Sequence, residues 1–158
     1  MQEIKDSPKP DIIIGTETWL DNTIPSTEFF PTTMFNVFRK DRPPNNKNKS
    51  HGGVLLAITK DFISSEVKEL QTNCEIVWVE INITGAKKIL VGSYYTSPSD
   101  EGTSLEQLEI SLSKVNNITS SHLSLGGDFN LGHIDCSVIV QYLHLLQASQ
   151  MLNTINIY

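Results

Sequence analysis

The strongest constraint on the fold is a series of short apolar runs, each closed off by Pro, Gly, Asn or Asp before it is long enough for a helix. They are DIIIG, NVFRK, VLLAITK, EIVWVEINIT, ILVGSYY and HLSLGGDFN. Runs of this length, rich in β-branched and aromatic residues, read as strands. DIIIG, led in by Pro8 and Pro10, is continuous rather than alternating, which predicts cover on both of its faces. The turn-rich stretch DRPPNNKNKSHGG between NVFRK and VLLAITK predicts a hairpin, and Gly85 between EIVWVEINIT and ILVGSYY predicts a second one. Residues 20 to 34 hold two prolines and no period, and read as a loop.

After Asp100 the period changes. Leu105, Leu108, Leu112 and Val115 recur at helical spacing, with Asp100 or Ser104 as the cap. HLSLGGDFN then reads as a strand ending in a glycine turn, and Val138 to Leu152 as a second helix with Leu143, Leu146 and Met151 inward. Strands, hairpins and interleaved helices predict an α/β fold with mixed sheets. At 158 residues, one domain is expected.

Charge narrows the function. A net charge of −6 excludes a domain-wide basic footprint, so any nucleic-acid contact must be local or assisted by a cation. The basic cluster is Arg39, Lys40 and Arg42, with Lys47 and Lys49 beyond. It fits a phosphate-contacting loop and a solvated hairpin tip equally well. The polar start and the lack of a membrane-length apolar run predict an intracellular protein without a membrane partner. Cys74 and Cys136 match neither a zinc spacing nor a disulfide framework. The sequons at Asn48, Asn82 and Asn117 read as chance.

Three places could carry chemistry. Glu17 follows the DIIIG strand, where a carboxylate can hold a hard divalent cation that keeps several waters; the same position fits an exposed loop Glu. Asp128 and Asn130, in GGDFN, are two apart and point the same way in extended chain. Asp can orient or deprotonate a water and Asn can donate to a phosphate oxygen, although a Gly-Asp turn of structural use fits too. Tyr94 and Tyr95 end a strand, so only one of them can face a given site.

Taken in order, TETWLD, FRKDR followed by GGV, CEIVWVEI, VGSYYTSP and GGDFN resemble successive landmarks of the endonuclease/exonuclease/phosphatase superfamily, most clearly over residues 11–152. The pattern is most similar to the apurinic-type endonuclease domains of non-LTR retrotransposons. The resemblance implies a two-sheet, DNase I-like α/β sandwich, incomplete here, and hydrolysis of a DNA phosphodiester with Mg²⁺ or Mn²⁺, which points to the nucleus. It implies Glu17 as metal ligand, Tyr95 as the active-site tyrosine, Asp128 on the attacking water and Asn130 on the phosphate.

The family's opening strand with its Asn, and its closing second Asp and Ser-Asp-His-like motif, have no counterpart here, which predicts a truncated domain spanning 1–158 and little or no activity. His51, His122, His133, His144 and Asp135 lack that context. The alternatives are a phosphoesterase of the same superfamily acting on a phospholipid or inositol phosphate, and a non-catalytic remnant or binding module.

Overall fold

Continuous and alternating apolar runs end up in different layers of the molecule. The structure, a computed structural model, describes residues 10–43, 51–115 and 121–130. A first sheet contains β1 (Ile12–Thr16), β2 (Phe35–Lys40) and β3 (Val54–Thr59) in the order β1-β3-β2, all antiparallel. A second contains β4 (Ile63–Glu66), β5 (Glu75–Asn82), β6 (Lys88–Tyr95) and β7 (Ser121–Asp128) in the order β4-β5-β6-β7. Strands β4 to β6 are antiparallel, whereas β7 runs parallel to β6. A parallel neighbour needs a crossover, and α1 (Thr103–Val115) supplies it. The fold class is α/β with two sheets, as the sequence predicts.

The sheets bury a shared layer between them. Val54, Leu56 and Ile58 of β3 meet Val77, Val79 and Ile81 of β5 and Val91 of β6. Leu55 and Ala57, the alternate residues of β3, are covered from the other side by Leu20, Ile24 and Phe30 of the 20–34 segment. VLLAI is therefore covered on both faces, as a continuous apolar run requires. DIIIG is covered only in part: Ile12 packs on the layer between the sheets and Ile13 on the outer one, but β1 lies at the end of its sheet and Ile14 is 37% exposed.

On the far face of the second sheet, Ile76 and Trp78 of β5, Leu90 and Tyr94 of β6, and Leu123 and Leu125 of β7 pack with Leu108 and Val115 of α1. Leu105 and Leu112 lie at the margin of that contact. The Asp100 carboxylate caps the helix approach, accepting the backbone N–H groups of Gly102 and Ser104, each at 3.0 Å. Trp78 lies so close to β6 that a Cβ on Gly92 would stand 2.5 Å from its ring. Its Nε1–H donates to Ser111 Oγ at 2.8 Å, and that hydroxyl donates onward to the Leu70 carbonyl at 2.6 Å.

Strand β4 and the 3₁₀ turn at Lys68–Leu70 have no counterpart in the sequence reading. ISSE is short and polar, its Ile63 is exposed, and its place comes from pairing with β5 rather than from its own pattern. The expected helix at 138–152, Cys136, Asp135, His133 and His144 lie outside the described residues. Among the described residues no helix is long and apolar enough to cross a membrane.

Ser111→Ala would leave the buried Trp78 N–H without its acceptor and the Leu70 carbonyl without its donor. The expected cost is about 1–3 kcal/mol. Gly92→Ala, which forces Trp78 aside, is expected to cost about 1–3 kcal/mol as overpacking. Urea midpoints at constant m-value check both.

Candidate functional site

One end of the paired sheets is built from backbone that ordinary residues avoid. The three non-glycine residues with positive φ among the described residues are Glu17 at 49°, Trp19 at 54° and Asn130 at 44°. Such conformations cost on the order of 1–3 kcal/mol each and persist only where neighbours over-determine them. For Glu17 and Trp19 the neighbour is the Gly52–Gly53 turn ahead of β3. Trp19 N–H donates to the Gly52 carbonyl at 2.9 Å and Thr18 N–H to the Gly53 carbonyl at 3.3 Å. The turn needs glycine twice, with φ of 83° and 87°, and a Cβ on Gly53 would stand 2.7 Å from Thr18 Oγ1.

Glu17 leaves β1 toward the second sheet, where its Oε1 accepts the Tyr95 hydroxyl hydrogen. Of the adjacent tyrosines, Tyr95 faces the layer between the sheets and Tyr94 faces α1, its ring 5.1 Å from that of Phe129. Alternation puts the two phenols on opposite faces, and the packing of the sheets settles that Tyr95 reaches Glu17. Asp128 is the register partner of Tyr95 across β6 and β7. Just beyond it the chain folds into an Asx turn: Asn130 N–H donates to Asp128 Oδ1 at 3.0 Å, and Asn130 Nδ2 donates to the Thr96 carbonyl at 2.7 Å. Gly127 permits this, since a Cβ there would lie 1.8 Å from the Tyr94 carbonyl oxygen. Glu17, Tyr95, Asp128 and Asn130 therefore gather at one end of the sheets.

The basic cluster does other work than contact a phosphate. Arg39 donates to the carbonyls of Ile24 at 2.8 Å and Asp21 at 2.7 Å and pairs with Asp41 at 3.1 Å. Lys40 Nζ donates to the carbonyls of Thr72 at 2.5 Å and Cys74 at 2.7 Å, and its burial pushes its pKa below the usual lysine value. Arg42 pairs with Glu75, which also accepts the Gly53 N–H, and its guanidinium carbon lies 5.5 Å from the centroid of the Tyr95 ring. All three side chains therefore have partners within the fold, and Arg42 keeps a side-chain exposure of 34%. Lys47 and Lys49 lie outside the described residues.

The Arg42–Glu75 pair escaped the sequence reading. The available signal was Glu75 at the start of a strand whose next four residues are all apolar. His51 has a role of a different kind: it stacks edge-on against Trp19, ring centroids 4.9 Å apart. His122 is exposed. Cys74 is a buried free thiol, and burial raises its pKa.

No protein-family model matches the chain, and no curated protein does. Among solved structures it is similar to the endonuclease domain of TRAS1, a telomere-specific non-LTR retrotransposon, with 22% identity and a TM-score of 0.44. The alignment covers 61% of this chain and 41% of that one.

Burial first, then the hydrogen bond to Glu17 and the charge of Glu17, push the Tyr95 phenol up from 10.0 to about 12, against a smaller opposing effect of Arg42. The unfolded phenol deprotonates near pH 10 while the folded one keeps its proton, so folding stability is expected to fall between pH 10 and 12, by roughly 1–3 kcal/mol. Tyr94, raised chiefly by burial, adds a loss of the same sign. Denaturant titrations on either side of that window check this, and Tyr95→Phe should flatten part of the slope.

Proposed function

We propose that this corner binds a divalent cation and a phosphodiester of a nucleic acid, and that its chemistry is that of a Mg²⁺- or Mn²⁺-dependent DNA endonuclease. The observation that carries the reading is the meeting of Glu17 with Tyr95 beside Asp128, on backbone that is strained at Glu17 and Asn130. The motif resemblance of the chain supports the substrate class. The donor set fits such a cation, because Mg²⁺ is satisfied by one or two carboxylates, waters and substrate oxygens. The Tyr95 hydroxyl occupies Glu17 Oε1, which leaves Oε2 for the metal.

When bound, the cation would neutralise charge developing on the phosphate or the leaving oxygen. With its pKa near 12, Tyr95 is neutral at physiological pH. Its part is to donate to Glu17 and fix the carboxylate's orientation. Asp128 Oδ1 is held by the Asn130 N–H, so Oδ2 is the atom that orients a water and accepts its proton. Asn130 spends one amide hydrogen on Thr96 and has a second for a phosphate oxygen. In the overall step a water oxygen bonds to phosphorus, the ester P–O bond breaks, and the leaving oxygen takes a proton from solvent.

Among the described residues no imidazole joins these four, since His51 stacks on Trp19 instead. Loss of an acid–base group lowers a rate by about 10²–10⁴-fold, so turnover resting on these four residues alone is expected to be slow. Binding is therefore the sharper test. Mn²⁺ titrated into the protein and followed by electron paramagnetic resonance should show a bound population that Glu17→Gln removes. Mn²⁺ binding indifferent to that change would overturn the assignment of Glu17. Relaxation of supercoiled plasmid in Mg²⁺ should be weak at most, and nicking that persists in Asp128→Ala would remove Asp128 from the mechanism.

A further inference from the structure

Two residues beyond Glu17, Trp19 presents its indole to solvent, 55% exposed, from a backbone with φ of 54°. An exposed tryptophan held in a disfavoured conformation is a position whose cost the fold bears without any return in packing. Nor is it loose. Its N–H is tied to the Gly52 carbonyl, and His51 braces one side of the indole at an interplanar angle of 80°. We propose that Trp19, backed by His51, is a stacking platform for an unpaired nucleobase adjacent to the phosphodiester at Glu17. This rests on the phosphodiester reading of the corner.

The chemistry favours a base over other occupants. Trp19 is two residues from Glu17, so their Cα atoms lie within about 7 Å of each other. The chain carries a net charge of −6, and Arg39, Lys40 and Arg42 each hold partners within the fold, so little cationic charge is left over for a phosphate backbone. Stacking needs no charge and tolerates any base, because every base has a π-face. Its usual strength corresponds to about 5- to 100-fold in affinity per base.

The test uses the full chain with Mg²⁺ and two probes, a short single-stranded oligodeoxynucleotide and an abasic deoxyribose-phosphate oligomer of equal length. The other tryptophan, Trp78, is fully buried, so changes in indole emission report Trp19. The base-bearing probe should quench that emission and bind about 5- to 100-fold more tightly than the abasic one. Trp19→Ala should erase the difference, and Trp19→Phe should restore part of it. Equal affinity for both probes with unchanged emission would overturn the platform, and this comparison on the unaltered chain stands even if a variant folds poorly. Mn²⁺ binding that depends on Glu17 together with no base effect would defeat the platform alone. A base effect with Mn²⁺ binding indifferent to Glu17→Gln would keep the platform and defeat the hydrolytic reading.

Discussion

The Gly52–Gly53 turn is the point on which the geometry of the site end depends. Its two carbonyls receive the N–H groups of Trp19 and Thr18, and the Gly53 N–H goes to Glu75 at the start of β5. A single turn thus connects the exit of β1, the entrance of β3 and the first residue of the second sheet's long strand. A side chain at either position would strike Thr18 or Arg42, so the close approach exists only because both residues lack a Cβ. The strained backbone at Glu17 and Trp19 follows from that approach, since their neighbours leave no other route for the chain.

Polar ties at this end contrast with the middle of the interface between the sheets, which is largely aliphatic. Val54, Leu56 and Ile58 against Val77, Val79 and Ile81 hold the sheets together without specifying any one residue closely, as volume-conserving exchanges among such side chains are tolerated. The face toward α1 is more specific. Trp78 needs Gly92 beneath it and Ser111 at its N–H, so strand, neighbouring strand and helix are fitted to one indole.

Inward-turned cations have a consequence for recognition. Lys40 reaches carbonyls at Thr72 and Cys74, tying the end of β2 to the approach to β5, and Arg42 neutralises Glu75 while lying against Tyr95. These groups tie the site end together. On the proposed reading, recognition at this corner would rest on a cation, on the Asn130 amide and on the exposed indole of Trp19.

The local signals in the chain were sufficient for the strands β1 to β3 and β5 to β7, both hairpins and α1, because periodicity and turn residues act over a few positions. Alternation also determined that Tyr94 and Tyr95 face opposite ways. It could not say which phenol meets Glu17, since that carboxylate is 78 residues away and the meeting depends on how the sheets pack. The continuous DIIIG run suggested burial on both faces, yet β1 sits at the end of its sheet, and burial follows position in the sheet rather than composition. Strand β4 was illegible because four polar-leaning residues carry no period and take their place from β5. The partners of the basic cluster were illegible for a related reason. Charge is written in the sequence, but whether a cation meets solvent, a carbonyl or a carboxylate is decided by what the folded chain brings within hydrogen-bond reach.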